Sequence, residues 1–172
     1  MGSGIVKGAI FGGIIVYVWM IVSWMVIPWH QPTMMEFKNA RYMAAAITEN
    51  CHRDGIYVMP QEKDNTNRVP FVFAAVKLGG NPMGAGNFIA SIIVQVIGAG
   101  FISYFLSRST GMVYVSKVFF VTFIGFVAWL LGMFPGWIWM GMSGGYILVA
   151  LADLVIGWFL AGLVLAAVVR TR

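Results

Sequence analysis

The chain has 172 residues, of which 60% are hydrophobic and 10% charged, and a mean hydropathy of +0.84. A soluble domain carries about 25% charged residues, so this composition excludes an ordinary water-soluble fold. The net charge of +5 does not mark a nucleic-acid-binding face. Lys7, Arg108, Lys117, Arg170 and Arg172 each stand just outside an apolar run, and Glu36, Glu49, Asp54, Glu62 and Asp64 lie together in one polar segment.

A helix needs roughly 20 apolar residues to cross about 30 Å of hydrocarbon. Four stretches meet that length: 8–28, 86–106, 116–134 and 143–169. The first follows Lys7 and runs on into Trp29 without a small-residue cleavage site. It therefore reads as a retained helix, not a secretory leader. The expected fold class is an all-α membrane protein. Its core is a four-transmembrane-helix bundle, with a small extracytoplasmic α+β cap between the first two helices. The domain division is residues 1–28 (first helix), 29–85 (cap) and 86–172 (helices two to four). Basic residues flank membrane helices on the cytoplasmic side. The charges beside the short loops thus predict both ends inside, in a bacterial inner membrane.

Within 29–85, Thr33-Met34-Met35-Glu36 fits a capping box. Phe37, Ala40, Ala44 and Ile47 continue at helical spacing, and Asn50 to Gly55 closes the helix. Two β-like runs follow, 56–59 and 69–73, separated by the polar stretch 61–68. These elements are too few for a core of their own, so the cap is expected to rest on the outer ends of the helices.

Membrane helices associate through small residues that permit close approach and through polar contacts. Gly4, Gly8 and Gly12 form one ridge on the first helix, and Gly141, Gly145 and Gly157 form another along the fourth. On the second helix Asn87, Ser91, Gln95, Ala99 and Ser103 recur every four residues. Asp153 is the one acid inside a span, and it needs a partner there. Gln95 and Asp153 each lie roughly 15 Å from the outer helix ends at 1.5 Å per residue. The expectation is that Asp153, Gln95, Ser91, Asn87 and Ser103 form an intramembrane polar cluster, with Tyr17 or Thr122 nearby.

Catalytic and nucleotide-binding motifs are not evident, so no enzyme activity, catalytic residue or cofactor is expected. His30, Cys51 and His52 are the candidate metal ligands. All three fall outside the spans, which argues against haem or copper, and His30 is read as a cap at the membrane interface. The functional reading is a non-enzymatic accessory or scaffold subunit of a membrane complex. Its partners would be the lipid bilayer and other membrane subunits or itself, with no nucleic acid. A small transporter or channel using Asp153 and the polar face of the second helix is the alternative. A metal- or quinone-associated redox component is the third.

Overall fold

The computed structural model describes residues 2–60, 70–79 and 83–170. It is largely helical: α1 (Gly2–Ile21), α2 (Ala40–Asn50), α3 (Ala85–Arg108), α4 (Tyr114–Gly132), α5 (Phe134–Trp139) and α6 (Gly144–Val168). Strands β1 (Gly55–Met59) and β2 (Val72–Val76) form an antiparallel pair, with Tyr57 opposite Ala74. Four helical stretches are long and apolar enough to span a membrane: Gly2–Val26, Ala85–Arg108, Tyr114–Trp139 and Gly144–Val168.

The backbones that approach closely are those of α1 with α3, α1 with α6, and α4 with α6. The four helices therefore stand in the order α3, α1, α6, α4. This is an open row with α1 and α6 at its centre, in place of a ring in which each helix has two close neighbours. Val16, Ala99, Leu106, Val121, Ala161 and Leu165 fill the core along that central seam.

Small residues set the spacing. A Cβ added at Gly12 would lie 2.3 Å from Leu165 Cδ1, and one at Gly8 the same distance from Ser103 Oγ. Gly4 packs against the carbonyl of Val168. The first ridge thus lies in close contact with α3 and α6, and Gly13 belongs with it because its Cβ would meet Val96 Cα at 2.5 Å. The second ridge divides. Gly157 packs tightly against Trp19, and Gly145 makes ordinary contact with Thr33. Gly141 precedes α6, has φ +72° and has nothing near it. It is a turn residue, because a left-handed backbone favours glycine. Gly125 and Gly162 do the packing between α4 and α6.

The segment between α1 and α3 departs from expectation in three ways. Its helix begins at Ala40, where Asn39 accepts a hydrogen bond from the backbone N–H of Tyr42. Thr33 does not cap it, because its hydroxyl donates back to the carbonyl of His30 at 2.7 Å. Pro32 sits in a tight 3-10 turn over Gln31–Thr33, and the chain leaves that turn extended at Met34. Strand β2 starts at Val72, later than the expected run at 69; the stretch 61–68 falls outside the described residues. Finally, α2 has no buried residue, and neither it nor the hairpin builds an extensive interface with the membrane helices.

Candidate functional site

The polar centre of the molecule forms where α1 loses its regular helix. Val22–Val26 is a single π-helical turn, a rare form that concentrates at functional sites. After Ile27 the chain turns and runs beside the start of α6, where Ser143 donates to the carbonyl of Thr33 at 3.1 Å. This fold-back brings His30, Ser23 and Asp153 together.

Ser23, His30 and Asp153 are 0%, 2% and 5% exposed. His30 Nε2 lies 3.2 Å from Asp153 Oδ2 and 3.0 Å from Ser23 Oγ. Ser23 donates its hydroxyl proton to Asp153 Oδ1 and accepts the indole N–H of Trp29 at 2.9 Å. Trp19 donates to the backbone carbonyl of Asp153 at 3.0 Å. Aromatic rings enclose the group: Trp24 stacks on His30 with centroids 3.8 Å apart, and Trp29 meets the same imidazole edge-on.

These residue types invite comparison with a serine-nucleophile triad, but the geometry is different. In a triad the imidazole bridges, using one ring nitrogen for serine and the other for the carboxylate. Here Nε2 faces both partners, while Nδ1 is buried without a hydrogen-bond partner among the described residues. Ser23 also gives its proton straight to the carboxylate. The arrangement can hold a proton between imidazole and carboxylate, and it ties the segment after α1 to the middle of α6. It does not prepare serine for attack.

His30 is therefore a buried partner of Asp153, not an interfacial cap; the π-helical turn and the fold-back carry it inward. Asp153 takes its hydrogen bonds from Ser23 and His30 in place of the expected partner Gln95. Asn87, Ser91 and Gln95 face a different feature, a cleft of about 320 Å³ between α1 and α3. Tyr17, Ile21 and Trp24 line its other wall. Ala99 and Ser103, further along the same ladder, are buried in the core beside Gly12 and Gly8. Thr122 hydrogen-bonds the carbonyl of Val118 within its own helix. The expected polar cluster is thus three environments: a closed His–Asp–Ser network, a cleft wall and a packing seam.

Of the three candidate ligands, His30 is engaged with Asp153, Cys51 is a buried free thiol and His52 is exposed. Among the described residues no three His, Cys, Asp or Glu side chains gather as a metal site. Ser23 and the three tryptophans around it were not legible as site residues. The one local signal was Trp29-His30 directly after an apolar run. Comparison of the chain with protein-family models, curated proteins and solved structures finds no match.

Proposed function

We propose that the chain is a non-enzymatic accessory subunit of a bacterial inner-membrane assembly and that the segment between α1 and α3 is its partner-binding module, on the outer side. The observation that carries this reading is the uncovered apolar surface of that segment. Met35 is 92% exposed and Phe37 63%, while Ile56, Val58 and Phe71 are also open. These residues lie outside the spans, so hydrocarbon does not account for their exposure. Large apolar patches of this kind mark interaction surfaces, and a helix with a two-stranded hairpin has too little core to stand alone. The test is affinity purification of the tagged chain in mild detergent, comparing wild type with Phe37→Ser/Ile56→Thr. A stoichiometric membrane partner that is retained by wild type and lost by the variant supports the reading. The same composition in both preparations overturns it.

A second reading rests on the His30–Asp153 pair. Ionisable groups inside a membrane span mark proton and ion paths, and interrupted helices line such sites in transporters. A proton-linked transport role would require Asp153 to ionise. Proteoliposomes carrying wild type and Asp153→Asn, compared for pH-gradient-driven dye response, test it: equal responses remove the transport reading.

A further inference from the structure

The cleft between α1 and α3 belongs to neither the closed His–Asp–Ser network nor the outer segment. Its two walls differ in chemistry. Tyr17 of α1 and Trp24 of the π-helical turn form one; Asn87, Ser91 and Gln95 on one face of α3 form the other. Among the described residues no charged side chain lines it. Trp24 lines the cleft and also stacks on the buried His30, which restrains the indole.

Gln95 lies ten residues into α3, roughly 15 Å along the axis at 1.5 Å per residue. At that depth water is scarce, and an amide without a partner is costly. Among the described residues neither the Gln95 amide nor the Ser91 hydroxyl makes a side-chain hydrogen bond, although both border the cleft. Beside Asn87 and Tyr17, which also line the cleft, Ser91 and Gln95 thus offer two hydrogen-bonding groups about 6 Å apart along the helix axis, facing aromatic rings across a volume of about 320 Å³. Membrane ligand pockets of this kind are mostly apolar with a few placed polar groups.

We propose that this cleft binds the head group of a neutral isoprenoid quinone entering from the bilayer. A para-quinone carries two acceptor oxygens on opposite edges of a flat ring. Gln95 and Ser91 donate to these while the ring lies against Trp24. The uncharged lining disfavours an anionic phospholipid head. A diacylglycerol places all its oxygens at one end and would leave one of the two donors unused. The inference is independent of the accessory-subunit reading, since the outer segment takes no part in it.

The test is a titration of the full chain in phosphatidylcholine nanodiscs with a short-tailed naphthoquinone, read by tryptophan fluorescence and by calorimetry. Wild type should show saturable quenching. Gln95→Met and Ser91→Ala should each weaken binding, Gln95→Met roughly tenfold for one lost hydrogen bond. Trp24→Phe should reduce the quenching amplitude while calorimetric binding persists. Circular dichroism and size-exclusion profiles matching wild type confirm that the variants fold. Should Gln95→Met misfold, Ser91→Phe, which fills the cleft from its rim, should abolish saturation on its own. Quenching that rises linearly and equally in wild type and the folded variants overturns the proposal. So does displacement of the quinone by dioleoylglycerol at equal concentration, which would make the occupant a neutral lipid.

Discussion

Trp19 of α1 and Gly157 of α6 fit one another: the indole occupies the space that a side chain at 157 would need. A Cβ at Gly157 would lie 2.9 Å from Trp19 Cδ1, and the same indole donates its N–H to the carbonyl of Asp153. Close packing and a polar contact between helices therefore depend on a single ring. Gly157→Leu should push Trp19 aside and break that bond, with an overpacking cost of about 1–3 kcal/mol. A lower melting temperature in detergent micelles checks this, and Leu163→Ala, away from the seam, should shift it less.

The closed network makes a sharper prediction at Asp153. Asn keeps an oxygen for the Ser23 hydroxyl, and His30 can accept at Nε2 from the new amide by changing tautomer. Asp153→Asn should therefore fold. Asp153→Leu removes the common partner of Ser23 and His30 and leaves them to pair only with one another, at about 1–3 kcal/mol for the lost buried hydrogen bonding. Guanidinium or SDS unfolding of the two variants should separate them in that order, and a Leu variant as stable as Asn would refute the role given to the network.

On the opposite side of the row, Lys117 is buried and its ammonium donates to the carbonyl of Val169 at 2.9 Å. Val169 directly follows α6, where the helix leaves partial negative charge on unpaired carbonyls. Lys117→Met should destabilise the protein by about 0.3–2 kcal/mol. Lys117→Arg should retain part of that loss. Thermal melts of both variants against wild type measure the difference.

Orientation is open to a direct test, although Cys51 is poorly placed for one because its thiol is buried. Met35 is the better position, being almost fully exposed. In a Cys51→Ser background, Met35→Cys should react with a membrane-impermeant maleimide in intact spheroplasts. The charges beside the short loops predict this result. Labelling only after permeabilisation would reverse the topology.

The spans were legible because hydrophobic length is a strong, local signal that no tertiary contact is needed to interpret. The Gly4, Gly8 and Gly12 ridge was legible for the same reason: four-residue spacing maps directly onto one helix face. The partner of Asp153 was not. Depth counting matched it with Gln95 on the assumption that the first span runs as a straight helix to residue 28. The π-helical turn at Val22–Val26 and the turn after Ile27 carry His30 inward, and neither leaves a pattern in hydropathy. Thr33 misled for a comparable reason. A threonine three residues before a glutamate fits a cap, but Pro32 favours a tight turn in which the hydroxyl is used by His30. The segment between α1 and α3 showed its element types in composition, while its lack of cover on the membrane helices is a tertiary fact.

The open row also has a consequence for biogenesis. Close pairing joins α1 to α3 and α4 to α6, so each half can form a helical hairpin soon after synthesis. The α1–α6 seam that unites them has to wait until α6 has been made. Chains generally acquire structure from the amino-terminal end during synthesis, so Ser23 and His30 would spend that interval without Asp153. Closure of their network is thus a late step in assembly, and it distinguishes a finished molecule from two docked hairpins.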